Sequence, residues 1–242
     1  SEPRDSPECL WFNLECANAA GSKIRFVWRN AHLCLGTESA QAMANVRPVV
    51  RLDGGDWQRV SEVAVVERPH GGHFVTFSTP APCRRAAAAF CYPYGPEELE
   101  TTLRQTRGCW QVEAIGLTAK GRPLLRLHAG PEKARRGRPG AYVVARQHAG
   151  ETPGSWVLEG MLRALAAEAP PGPLRRIEWW VVPFVDLDGV LQGNYGKDSL
   201  PIDFNRAWAA MPMRPEVAAI QHDLRYFAKG RARRLVLDLH GP

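Results

Sequence analysis

Three apolar runs, "AYVVARQ" (141–147), "IEWWVV" (177–182) and "RLVLDLH" (234–240), alternate with helical patterns, and this alternation constrains the fold more than any other feature. Strands that are apolar along their whole length need cover on both faces, which a parallel sheet with helical crossovers provides. The intervening segments "SWVLEGMLRALAAE" (155–168) and "PEVAAIQHDLRYFAKG" (215–230) can supply that cover. In the second, Val217, Ile220, Leu224 and Phe227 recur along one helical face, with Pro215 opening the helix and Gly230 closing it. A further helix is signalled at "PEELETTLRQTRG" (96–108), where Pro96 stands in the first turn, acids follow it and Gly108 lies past the end. The chain after Gly95 therefore reads as α/β, built on a mostly parallel mixed sheet. Its longest gaps, around 129–140 and 186–204, read as loops, and the second is long enough for a binding role.

Before Gly95 the rhythm is different. "KIRFVW" (23–28) alternates Ile24, Phe26 and Trp28 with polar neighbours, the two-residue period of a half-buried strand. "LWFNLEC", "WQRVSEVAVV", "HFVTFST" and "AAAAFC" read similarly, with Asp-Gly-Gly (53–55) and His-Gly-Gly (70–72) breaks among them. That pattern predicts an all-β antiparallel sandwich. The expectation is thus two domains, residues 1–95 and 96–242. All six cysteines, at 9, 16, 34, 83, 91 and 109, fall in the first 110 positions, which accords with that division. None forms a C-x-x-C pair, so free thiols in a reducing compartment are expected rather than a disulfide framework or a cysteine-zinc site.

Composition excludes several classes. No apolar run approaches the roughly 18 residues of a membrane span, and "SEPRDSPECL" has no signal-peptide apolar core. The expectation is a soluble, cytoplasmic protein with no membrane partner. A net charge of +6 is moderate, and its densest cluster, "EKARRGRPG" (132–140), reads as a solvated basic turn or a surface for an acidic partner. No aromatic residues interleave with those arginines, so no nucleic-acid partner is expected.

Open parallel sheets bind ligands beyond the carboxyl ends of their strands. His148 and Glu151 lie just past the first apolar run, in "RQHAGET", and His240 ends the last. Taken singly, either histidine is more simply a turn or strand-end residue satisfied by backbone. Two imidazoles and a carboxylate at matching strand ends, however, form a common catalytic zinc set that leaves a fourth position for water. In "DFNRAW" (203–208), Asp203 could fix the tautomer of a metal-bound imidazole, while Asn205 and Arg206 could grip a substrate carboxylate. Alone, D-x-N-R is as easily a helix cap and surface pair.

Taken together and in order, H-A-G-E (148–151), "VPFVDLDGVLQGN" (182–194), "DFNRAW" and "LDLHGP" (237–242) resemble the zinc metallocarboxypeptidases. "RQHAGET" and the GN…NRAW pattern are similar to the cytosolic carboxypeptidase branch, as is "AFCYPYGPEEL" (89–99) to the Tyr-Pro-Tyr segment ending that branch's N-terminal β-sandwich. The resemblance implies a zinc enzyme acting on peptide or protein C-termini. His148, Glu151 and His240 would be the zinc ligands and Asp203 the partner of His148. Asn205 and Arg206 would hold the terminal carboxylate.

Two departures qualify it. The family places an oxyanion-stabilising arginine after Gly-Asn, where this chain has Gly196, with Lys197 adjacent as a point-charge substitute. The family's general base is a glutamate well downstream of the third ligand, where this chain has only Gly241 and Pro242. The expectation is accordingly a fragment, an interrupted reading frame or a truncated product. A basic surface and the resemblance both lean towards acidic, glutamate-rich tails. Two other readings stay open: a zinc-dependent deacylase of small N-acyl amino acids, and a non-catalytic module that binds acidic C-terminal tails.

Overall fold

The computed structural model describes residues 10–17, 19–69, 71–106, 108–130, 139–167, 176–197, 199–229 and 233–241. Most of the basic cluster at 132–140, and the helix-closing Gly230, lie outside the described residues. Contacts divide the chain into two compact units, Ser1–Pro93 and Tyr94–Pro242.

In the first unit the strands β1 (Asn13–Cys16), β2 (Arg25–Trp28), β3 (Val49–Leu52), β4 (Gln58–Arg59), β5 (Ala64–Glu67), β6 (His73–Ser78) and β7 (Ala86–Ala89) form two sheets. Their orders are β1-β7-β3-β4 and β2-β6-β5, and every pairing is antiparallel. Val50 and Ala88 from the first sheet share one apolar cluster with Phe77 from the second. The unit is not purely strand. Residues 31–44 hold two short helices, α1 (Ala31–Leu35) and α2 (Ala40–Ala44). Gly36 closes α1 in a left-handed conformation, and the Ser39 hydroxyl caps α2 by accepting from Ala42 N. These caps stabilise helices of five residues, too short to show a 3.6-residue period in the sequence. Cys16, Cys83 and Cys109 carry free thiols.

The second unit contains α3 (Pro96–Gln105), β8 (Gln111–Leu117), β9 (Pro123–Ala129), β10 (Gly140–Ala145), α4 (Pro153–Ala166), β11 (Glu178–Val182), α5 (Leu187–Gln192), α6 (Pro215–Ala228) and β12 (Arg234–Leu239). Its five-stranded sheet runs β12-β10-β11-β9-β8. β10 pairs in parallel with both β11 and β12, whereas β9 pairs antiparallel with β11 and with β8. The expected mostly parallel sheet is therefore evenly mixed. The added hairpin escapes a search for apolar runs because β8 is largely exposed. The 186–204 segment is also more ordered than a plain loop, for it contains α5 and leads into a 3-10 turn at Phe204–Arg206.

Alternation along β10 sorts the core into two layers. Ala141, Val143 and Ala145 pack with Leu158 and Leu162 of α4, while Tyr142 and Val144 pack with Val217, Ile220 and Phe227 of α6. The expected apolar face of α6 is thus the one that covers the sheet. Because β10 and β12 are adjacent and parallel, with Ala145 opposite Leu239, their carboxyl ends finish side by side.

Candidate metal centre

The turn after β10 is shaped by Arg146, which holds a left-handed backbone (φ 60°) that costs a non-glycine residue free energy. Its buried guanidinium offsets that cost. Nε donates to Ala149 O at 2.9 Å, and Nη1 donates to Tyr94 O at 2.8 Å and to Ser155 Oγ at 3.2 Å. The clamped carbonyl lies between His148 and Glu151, so one side chain sets the path of both. Gly150 N donates to Tyr195 O at 2.8 Å, tying the turn to the segment after α5.

His148 is 3% exposed and spans two carboxylates, with Nδ1 2.8 Å from Glu151 Oε1 and Nε2 3.1 Å from Asp203. Burial pushes this imidazole's pKa down, but the hydrogen bonds and charges of Glu151 and Asp203 together outweigh it, so the net direction is up. Two carboxylates converging on one imidazole make the pocket electrostatically favourable to a cation. Asp203 is itself fixed at the start of the 3-10 turn, where its carboxylate accepts from Asn205 N at 2.7 Å.

From β12, His240 comes to Glu151 with Nε2 3.8 Å from Oε2, and its ring stands edge-on to that of His148 at a centroid distance of 4.7 Å. Gly241 N donates to Glu151 Oε2 at 2.9 Å. One donor atom each from His148, Glu151 and His240 lie within 4.8 Å of one another, and among the described residues this is the one such group of three or more His, Cys, Asp or Glu. Two imidazoles and a carboxylate suit a divalent ion such as zinc. The buried Nδ1 of His240 has no hydrogen-bond partner, which a ligand or an outer carboxylate would satisfy.

The other residues singled out in the sequence are placed less decisively. Arg206 is exposed. Asn205 is half-buried and lines a cavity of about 300 Å³ together with Gln147, Trp208 and Asp238. Lys197 is half-buried beside Gly196. At Gly196 (φ +93°) a Cβ would lie 2.5 Å from Ala149 N and 3.1 Å from His148 Cα, so this backbone has no room for an arginine.

Four residues that the sequence patterns did not single out also shape this edge. Besides Arg146, they are Gln147, Asp238 and Asp186. Gln147 is buried and donates to Asp238, whose carboxyl burial pushes up while His240 pulls it down. Asp186 caps α5 by accepting from Gly189 N at 2.9 Å. Burial raises its carboxyl to about 6 against the lowering effects of that bond and of Arg214. A usable signal existed for Asp238: it stands two residues before His240 on a strand, which puts both on one face.

Residues 97–223 match the zinc carboxypeptidase family. The chain is similar to cytosolic carboxypeptidase 1 of Danio rerio, with 32% identity over 173 residues, 63% of this chain and 15% of that protein. It is similar to cytosolic carboxypeptidase 1 of Homo sapiens, with 27% identity over 233 residues, 84% of this chain and 19% of that protein. It therefore spans less than a fifth of the length of these two relatives. Among solved structures, a metallo-carboxypeptidase from Burkholderia cenocepacia superposes with a TM-score of 0.76 at 24% identity, covering 96% of this chain and 61% of the other.

Proposed function

The chain belongs to the zinc carboxypeptidase family, and from that premise we propose that it takes part in metal-dependent removal of the C-terminal residue from a peptide or protein. The observation that carries this reading is the meeting of His148, Glu151 and His240 donor atoms within 4.8 Å, from two strand ends and one turn. These three residues would hold zinc, which when bound supplies Lewis acidity for the scissile carbonyl and lowers the pKa of an attacking water.

The remaining roles belong to the chain's own side chains. Asp203 accepts the Nε2 proton of His148, so that Nδ1 presents its lone pair on the side of Glu151. Asn205 and the exposed guanidinium of Arg206 bind the terminal carboxylate of the substrate, Arg206 through a planar fork suited to two parallel hydrogen bonds. Lys197, beside the glycine that excludes a side chain, places positive charge near the developing oxyanion. We read residues 1–95 as a β-sandwich domain and 96–242 as the metal-binding domain, in a soluble cytoplasmic protein whose preferred substrates carry acidic tails.

The first test is metal content. Purified protein should bind one zinc per chain, and His148→Ala and Glu151→Ala should each abolish it. Stoichiometric zinc in both variants would overturn the ligand assignment. Turnover of peptides ending in glutamate or leucine, set against turnover of N-acyl aspartate, then distinguishes peptide cleavage from deacylation, and saturable binding of glutamate-tailed peptides without cleavage identifies binding alone.

A further inference from the structure

The first unit is left without a role by that reading, yet it holds a cavity of about 690 Å³, and every residue lining it belongs to that unit. The volume falls in the range of roughly 300–1,000 Å³ that takes a small organic molecule. Both sheets contribute to its walls. Val50 of β3, Phe77 of β6 and Val60 give it an apolar floor drawn from one core cluster. The polar part of the wall is rich in uncommitted donors. Lys23 and Arg59 stand exposed there. Arg59 is held in place, with Nη1 donating to Arg47 O at 2.6 Å and the guanidinium 5.2 Å from the centre of the Tyr92 ring, so its remaining N–H groups are left for water or a ligand. Thr76 and Thr79 also line the cavity and are 5% and 2% exposed. Thr79 Oγ1 accepts from Ile24 N at 3.0 Å and Thr76 Oγ1 from Arg25 Nη2 at 3.4 Å, and among the described residues neither hydroxyl donates in turn. Each keeps an O–H to give, and a buried donor without an acceptor is costly. Glu62 is the one acid among the lining residues.

We infer that this cavity binds a small amphipathic anion, a single carboxylate or phosphate carried on an aliphatic body. The head accepts from the Thr76 and Thr79 hydroxyls and pairs with Lys23 and Arg59, while the body lies on Val50, Val60 and Phe77. Four donors select a head that only accepts. A cationic head would meet two like charges with Glu62 alone in return. The apolar floor selects against a bare ion, since each methylene moved from water onto it strengthens binding about fourfold. This site takes no part in the metal chemistry, and the inference stands or falls independently of the ligands His148, Glu151 and His240.

The experiment is isothermal titration of the full chain with octanoate, octyl phosphate, octylamine and inorganic phosphate. Octanoate or octyl phosphate should bind once per chain, and the tighter of the two names the head. Hexanoate, two methylenes shorter, should bind about 16-fold more weakly than octanoate. Lys23→Gln and Arg59→Gln change exposed side chains that the core does not need, and each should weaken binding about 3–10-fold. Ala64→Trp, at an exposed position on the cavity wall, should block the site. Because a carboxylate is also a zinc ligand, His148→Ala is the separating control, and it should bind octanoate as the parent does. Loss of binding in His148→Ala would put the anion on the metal edge and overturn the inference. So would the absence of binding by both octanoate and octyl phosphate, octylamine binding as tightly as octanoate, inorganic phosphate binding as tightly as octyl phosphate, or parent-like affinity in both Lys23→Gln and Ala64→Trp.

Discussion

Replacing Gly196 by alanine should damage the metal centre without touching a ligand. A Cβ at this position would stand 2.5 Å from Ala149 N, 2.9 Å from Asp186 Oδ2 and 3.1 Å from His148 Cα. Two of these neighbours are backbone atoms of the ligand turn, which Arg146 holds in place, so relief requires the turn to move. A positive φ for a non-glycine residue adds roughly 1–3 kcal/mol of strain, and overpacking at a rigid contact adds about 1–3 kcal/mol. The sum, on the order of 4 kcal/mol, is a large part of a typical domain's 5–15 kcal/mol. At about 2–4 °C per kcal/mol for a domain of this size, the melting midpoint should fall by roughly 8–16 °C. Circular dichroism melts of the metal-free protein read the first effect and chelator competition reads the second, a weaker zinc affinity. Lys197→Ala is the control, and should change neither by much. A Gly196→Ala protein melting within 2 °C of the parent, as an order-of-magnitude criterion from the same relation, and with parent zinc affinity would refute the reasoning. It would also reopen position 196 to an arginine.

Asp203→Asn should weaken zinc binding about 10–100-fold, because the amide is a poorer acceptor for His148 Nε2–H; isothermal titration with a competing chelator checks this. Tyr142→Phe removes a fully buried hydroxyl that donates to Asp223 Oδ2 at 2.9 Å, and should cost about 1–2 kcal/mol by urea denaturation. Asp186 gives a pH dependence. Between its ordinary 3.8 and its folded value of about 6, the folded chain keeps a proton that the unfolded chain has lost, so stability falls as pH rises through that window. Asp186→Asn should therefore gain on the order of 3 kcal/mol at pH 7 relative to its effect at pH 4; an equal change at both values would count against it.

Much of the second unit is readable in the sequence because its signals are local. Helices α3 and α6 announce themselves with proline in the first turn, α4 shows as an apolar helical segment, and β10, β11 and β12 are short apolar runs between them. The strand ends put His148, Glu151 and His240 on one edge, where their donor atoms lie within 4.8 Å of one another. The β8–β9 hairpin was not legible, since an edge strand with one wet face mixes polar and apolar residues without a clean period. Nor was the role of Arg146, because its value lies in which carbonyls it reaches after folding. Gln147 and Trp208 are separated by 61 positions and become partners only through tertiary structure.

The adjacency of β10 and β12 bears on how the chain assembles. Glu151 and His240 stand 240 − 151 = 89 positions apart, so the third donor arrives only when a long stretch containing β11 and α6 has closed back onto β10. Long-range parallel pairing of this kind is slow, since chain entropy is lost before the contact rewards it. Tight capture of an ion at this edge would then time the last seam of the sheet, and a stopped-flow trace with a zinc-sensitive dye would follow topology rather than secondary structure.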